Sequence, residues 1–313
     1  MAARPIIIDC DPGQDDALAL ALAMAAPERL HILGVTTVAG NVPLALTQRN
    51  ARLIAELCGR ADVPVFAGAA RPLVRDLVTA EYVHGKSGLD GIEIREPLLP
   101  LQPRNAVDFI VETLTAADDD SIILVPTGPL TNIALALIKA PEIAVKIQQI
   151  VLMGGAFREG GNITPAAEFN IFVDPHAADV VFRCGRPIVA MSLDVTHQVL
   201  SSRARVERIA AIGTPVAEAM ASLIHFFERF DEAKYGSEGA PLHDPCTIAY
   251  LLRPELFRLK PVHVAVELEG RRTLGATVVD FWGVTDGALN AHWAHAVDDD
   301  GFFALLTEHI ARL

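Results

Sequence analysis

Short apolar runs of strand length alternate with helical patterns through the first two-thirds of the chain. That alternation is the strongest constraint on its fold. Ile6-Ile7-Ile8 reads as a buried strand, and a Pro-Gly turn then opens an Ala/Leu-rich helix from about Asp16 to Ala25. His31–Val38 is β-branched and strand-like, whereas Leu44–Leu57 carries helical spacing. Val63–Phe66, Ile122–Val125, Ile150–Met153 and Ile188–Met191 are further strand-length runs. Helical stretches at Ala106–Ala117, Leu130–Lys139 and Pro175–Arg183 separate them. This order predicts an α/β fold, a mainly parallel sheet flanked by helices. Past Arg203 come a long helix (Pro215–Phe230), a glycine-bearing stretch (Tyr235–Gly239) and a helix from Pro245. Val262–Leu268 and Ala276–Phe281 read as late strands of antiparallel character. No linker, composition break or repeat divides the chain, so a single open domain over residues 1–313 is expected.

In such sheets ligands bind beyond the carboxyl ends of the strands. The first strand runs directly into Asp9-Cys10-Asp11-Pro12-Gly13-Gln14-Asp15-Asp16, with no Lys or Arg in the run. Four carboxylates so close repel one another unless a positive group neutralises them. A hard divalent cation bound by carboxylate, carbonyl and water oxygens is one answer. The plainer alternative is a Pro-Gly turn with Asp15 or Asp16 capping the next helix. Neither a dinucleotide-binding glycine fingerprint nor a P-loop pattern occurs here.

Two more strand-to-helix junctions carry polar residues. His243-Asp244-Pro245 is an ordinary helix entry, with Asp at the cap and Pro at the first position, unless the fold brings it to the acidic run. Gly161 to Asn170 follows the apolar run ending in Met153-Gly154-Gly155. Its Asn162, Glu168 and Asn170 suit sugar hydroxyls, while Phe169 offers a flat face. The same loop also reads as a set of Asn-supported turns. Pro126 to Asn132 is a turn in which a backbone carbonyl can face a cation.

The formal charge of −13, from 26 Lys+Arg against 39 Asp+Glu, argues against nucleic acid or an anionic membrane as partner. At 51% apolar residues the chain is not disordered, yet no apolar stretch approaches the ~20 residues a membrane-spanning helix needs. Cys10, Cys58, Cys184 and Cys246 form no CxxC pair, as in a reduced, cytoplasmic protein.

Taken together, these blocks resemble the inosine-uridine nucleoside hydrolase family. Asp9 to Asp16 matches its Asp-x-Asp-Pro-Gly-x-Asp-Asp signature in full. Ala39-Gly40-Asn41, His84 to Gly91, Pro126 to Asn132, Met153 to Ala156, Gly161 to Asn170 and His243 to Cys246 match in order. Gly239 to Cys246, with His84 upstream, is most similar to the pyrimidine-preferring bacterial members. The resemblance implies the family's open, Rossmann-like domain and one Ca²⁺ held by Asp11, Asp16, the Thr127 carbonyl and Asp244. It implies ribose contacts from Asp15, Asn41, Asn162, Glu168 and Asn170, with Met153 packed near the sugar. Asp11 is the matching general base, acting on a water at the cation. For the departing base, His243 is the expected proton donor, with His84 and Tyr235 as helpers. Asp231 lies one helical turn before Tyr235 and shares that side. The expected activity is hydrolysis of a ribonucleoside, uridine or cytidine preferred, in nucleoside salvage by a homodimer or homotetramer.

Two rival readings stand beside it. Asp9-Cys10-Asp11 has the spacing of an aspartyl-phosphate phosphatase, although Gly13 stands where those enzymes usually carry Thr or Val. A non-catalytic nucleoside-binding protein would keep the scaffold but lose the base or a metal ligand, and Asp11, Asp16 and Asp244 are all present.

Overall fold

The computed structural model describes residues 3–235 and 239–313, the side chains of 231–235 excepted. Nine strands among them form one sheet: β1 (Arg4–Cys10), β2 (Leu30–Thr37), β3 (Val65–Ala67), β4 (Ile122–Pro126), β5 (Ile147–Met153), β6 (Ile188–Met191), β7 (Phe257–Val266), β8 (Thr277–Asp280) and β9 (Ala291–Val297). Their spatial order is β3-β2-β1-β4-β5-β6-β9-β7-β8. β1 to β6 and β9 are parallel, and β7 lies antiparallel between β9 and β8. The result is a single α/β domain with a mixed, mostly parallel sheet.

Period-two alternation along β1 separates two cores. Ile6, Ile8 and Cys10 join the apolar cluster of the helices Gln14–Met24, Leu44–Leu57 and Pro245–Leu252. Ile7 joins the opposite cluster, with the helices Ala106–Thr115, Thr131–Lys139 and Pro175–Phe182. The helix Gln14–Met24 is buried along its whole length, because an Ala/Leu surface lets helices pack on every side. Truncating Leu20 there to Ala would cost about 2–5 kcal/mol. That rigidity matters because the first turn of this helix carries Asp15 and Asp16.

From β1 the chain moves outward through β2 and β3, then returns to β4 on the other side of β1. The strand order therefore reverses between β1 and β4, and the crevice beyond their carboxyl ends is the usual ligand site of such sheets. β1 leads into Asp11, and β4 leads into Thr127.

Leu44–Leu57 and Ile188–Met191 have the bounds their patterns predict, and β7 pairs antiparallel with β8 as expected. β7 begins at Phe257, upstream of the expected Val262, because exposed Arg258 alternates there with buried Phe257. β9 and the helices Arg203–Ala210 and Asp299–Ile310 lie outside the predicted set. Among the described residues, no helix is long and apolar enough to cross a membrane.

Candidate active site

At the switch point the acidic run divides. Asp9 turns aside, its Oδ1 accepting hydrogen bonds from Thr36 Oγ1 (2.6 Å) and Asn132 Nδ2 (2.8 Å). Burial pushes its carboxyl up to about 7. Asp15 and Asp16 stand in the first turn of the helix Gln14–Met24, where the helix dipole favours negative charge. Asp16 Oδ2 accepts from Gly13 N (3.0 Å) and Asn41 Nδ2 (3.3 Å), and Oδ1 from Thr127 Oγ1 (2.8 Å).

Asp244 occupies the cap position before Pro245, but its side chain makes no capping hydrogen bond. It reaches Asp15 and Asp16 instead. One oxygen from each of Asp15, Asp16 and Asp244 lies within 4.8 Å of the others, and all three residues are buried. Burial, reinforced by mutual repulsion, pushes Asp15 up to about 7 and Asp244 well above the usual carboxylate range. Burial raises Asp16 to about 6. At neutral pH such a set holds either shared protons or a cation. The donors are all oxygens, which suits a hard divalent ion.

Asp11 lies outside that trio. It is fully buried, and its Oδ2 accepts from Asn41 N at 2.7 Å. Its Oδ1 is buried without a hydrogen-bond partner among the described residues. A Cβ on Gly128 would lie 2.5 Å from Oδ1, and one on Gly40 would strike Oδ2, so glycine on both flanks keeps this carboxylate's space open. Burial first, and then Asp16, raises its pKa well above the usual value. The Thr127 carbonyl accepts from Asn170 Nδ2 at 2.8 Å.

These groups border a cavity with about 680 Å³ of empty space, counting the part open to solvent. Asp15, Thr127 and Asp244 line its acidic end. Asn41, Met153, Asn162, Glu168, Phe169 and Asn170 continue the wall. Glu168 is fixed as the cap of the short helix Phe169–Val173: Oε1 accepts from Asn170 N (2.9 Å), while Oε2 takes Gly155 N (3.0 Å) and Ile171 N (3.2 Å). Burial nevertheless lifts its carboxyl to about 7. Asn162 Oδ1 accepts from Phe169 N at 2.9 Å, and Asn170 Nδ2 also reaches the Met153 carbonyl at 3.2 Å.

The far end is imidazole and aromatic. His84 and His243 line it, as do His197, Phe227 and Phe230, which the sequence reading missed. His197 sits in no motif, and Phe227 reads as one more apolar position of a long helix; only the fold brings them here. His243 Nδ1 lies 2.8 Å from Thr196 Oγ1, and its ring is 5.6 Å from that of His197. Burial, with His197 and His84 nearby, holds its pKa well below the ordinary histidine value. Asp231 and Tyr235 lie on the helix Pro215–Tyr235, but their side chains fall outside the described residues. Asp11 and Asp16 do not line the cavity; they stand behind its wall, hydrogen-bonded to the lining residues Asn41 and Thr127.

A polar, cation-ready end facing an aromatic and imidazole end suits a ligand with a hydroxylated part and a flat heterocycle. Comparison with known proteins agrees. A family model described as inosine-uridine preferring nucleoside hydrolase matches residues 6–304. The chain is 51% identical over 310 residues to the pyrimidine-specific ribonucleoside hydrolase RihA of Photobacterium profundum, covering 99% of both chains. Among solved structures, a purine-preferring ribonucleoside hydrolase from Gardnerella vaginalis superposes with a TM-score of 0.91 at 34% identity, covering 98% of each chain. An inosine-guanosine nucleoside hydrolase superposes with a TM-score of 0.89 at 30% identity, covering 99% of each.

Proposed function

The chain belongs to the inosine-uridine preferring nucleoside hydrolase family and is an N-glycosyl hydrolase of ribonucleosides; from that premise we propose that it prefers pyrimidine ribonucleosides, uses Ca²⁺, and takes Asp11 as its general base. The convergence of three buried carboxylates at the acidic end of the cavity carries the reading. Their oxygen-only chemistry, and the raised pKa values of the cluster, fit a hard divalent ion. Asp11, Asp16, Asp244 and the Thr127 carbonyl would hold it, with Asp15 bordering it. When bound, the ion would supply charge neutralisation and Lewis-acid orientation of water and ribose hydroxyls.

The remaining steps fall to the chain's own groups. Asn41 fixes one oxygen of Asp11, leaving Oδ1 to take a proton from water attacking the anomeric carbon. Without a counter-charge, burial and Asp16 would keep that carboxyl protonated; a cation beside it would keep it ionised, as a general base must be. Cleaving the C1′–N bond builds positive charge on the ribose, and the surrounding carboxylates favour it. Asp15, Asn41, Asn162, Glu168 and Asn170 would hold the sugar hydroxyls, with Met153 and Phe169 against the ring. His243 would face the leaving base; with the Thr196 hydroxyl donating to its Nδ1, Nε2 would carry the proton for that base.

The pyrimidine preference leans on the 51% identity to a pyrimidine-specific enzyme, against 34% to a purine-preferring one. A homodimer or homotetramer in the cytoplasm is the accompanying expectation. Release of free ribose from uridine, cytidine, inosine and 2′-deoxyuridine, with and without a calcium chelator, tests the whole reading. Chelator-sensitive release from uridine and cytidine, with strong rejection of 2′-deoxyuridine, is expected. Full activity after thorough chelation would remove the cation from the mechanism.

A further inference from the structure

His84 has its protonation written into its surroundings. Gln14 Nε2 donates to two main-chain carbonyls, those of His84 and Asp90, each at 3.0 Å. An amide oxygen in that place would face two other oxygens, so the Gln14 amide has one orientation. Its Oε1 then lies 2.7 Å from His84 Nδ1. An amide oxygen only accepts, so Nδ1 must carry the proton.

The ring has little freedom to escape this arrangement. It stacks on Phe227 with centroids 5.7 Å apart and planes 20° apart. It also rests against Gly13, where a Cβ would lie 2.5 Å from Nδ1. This explains the glycine of the Pro-Gly turn by a close approach. Burial also holds the imidazole neutral, with its pKa lowered to about 3. A neutral ring with its proton on Nδ1 leaves a bare lone pair on Nε2. His84 lines the cavity, and no hydrogen bond from another described residue reaches that nitrogen.

We propose that His84 is a fixed hydrogen-bond acceptor in the base subsite, that it selects nucleobases presenting an N–H toward it, and that Gln14 is the positioning residue that makes it so. This rests on the nucleoside reading of the cavity. In uracil joined to ribose through N1, the only N–H is at N3; in cytosine the donor is the exocyclic amine. An acceptor here reads that edge of either base. It also removes His84 as the proton donor to the departing base, since Nε2 has no proton to give.

Two measurements test it. The first is kcat/KM for uridine and 3-methyluridine, in the unaltered protein and in His84→Leu. The intrinsic reactivity of each substrate is the same in both proteins, so the ratio of the two preferences isolates His84. The unaltered protein should favour uridine about 10- to 100-fold more than the variant does; equal preferences would overturn the proposal. The second is a long-range proton–nitrogen correlation spectrum of the unaltered, histidine-labelled protein, which separates acceptance by Nε2 from a merely steric effect of the methyl group. A proton on Nδ1 alone is expected, and one on Nε2 of His84 would overturn the assignment. If uridine releases no ribose at all, the functional reading fails, while the spectrum still decides the tautomer.

Discussion

The hydroxyl of Thr127 donates a 2.8 Å hydrogen bond to Asp16 Oδ1 across 111 positions of sequence. It ties the turn after β4 to the first turn of the helix after β1, the two sides of the switch point. Both residues are buried, so the bond has no solvent substitute. Thr127→Val keeps the shape and leaves one carboxylate oxygen of Asp16 without that donor. The expected cost is about 1–3 kcal/mol, with weaker calcium binding. Urea unfolding and calcium titration of the variant check this; unchanged values in both would mean that the bond does not position Asp16.

Asp11→Asn changes one atom of a group that already has Asn41 N on its other oxygen. The amide oxygen can keep that hydrogen bond, so the fold should survive. The Oδ1 position then has no proton affinity, and kcat should fall about 10²–10⁴-fold, the usual contribution of a general base. Circular dichroism checks the fold and steady-state kinetics the rate. A change confined to KM would make Asp11 a binding residue.

The buried carboxylates also make stability depend on pH. Asp9, Asp15 and Glu168 are raised to about 7 and Asp16 to about 6, whereas an unfolded carboxylate titrates near 4. Between those values the folded state holds protons that the unfolded state has released. Stability of the chelated protein therefore falls as pH rises from about 4 to about 7. Calcium, binding the deprotonated cluster, should flatten or reverse that slope. Urea midpoints at about pH 5 and pH 8, with chelator and with calcium, read the effect. A chelated protein more stable at the higher pH would contradict the assigned burial of charge.

Much of the scaffold was legible because β-branched runs and Ala/Leu helices report burial directly, as Ile188–Met191 and Leu44–Leu57 do. β9 was not, because Ala291–Val297 alternates alanine with histidine around one buried Trp293 and lacks β-branched residues until its end. In the site, the acids near Asp11 were visible as an electrostatic problem without a local counter-charge. The sequence could not show that Asp9 would leave the group for Asn132 and Thr36, because those partners arrive from other strands and helices. Asp244 fits a helix cap by local rules, and only the packing of its helix against Gln14–Met24 turns it toward Asp15 and Asp16. Gln14 occupies one of the two unspecified positions of the acidic signature, so nothing local marked it as the partner of His84.

The last expectation concerns the departing base. His243 stands beside Asp244 at the imidazole end of the cavity, with Nδ1 2.8 Å from the Thr196 hydroxyl. If that hydroxyl donates to Nδ1, Nε2 carries the proton and can hydrogen-bond to the leaving nitrogenous base as negative charge grows on it. With His84 locked as an acceptor by Gln14, His243 is the better placed donor of the two. His243→Ala should therefore slow uridine hydrolysis about 10²–10⁴-fold. It should slow p-nitrophenyl riboside far less, because nitrophenolate departs without a proton. Contacts to the sugar remain, so competitive inhibition by ribose should change little. Parallel kinetics on the two substrates separate the possibilities: equal losses would show that His243 shapes the pocket and donates nothing, and the proton would then have to come from elsewhere, with Tyr235 the next residue to substitute.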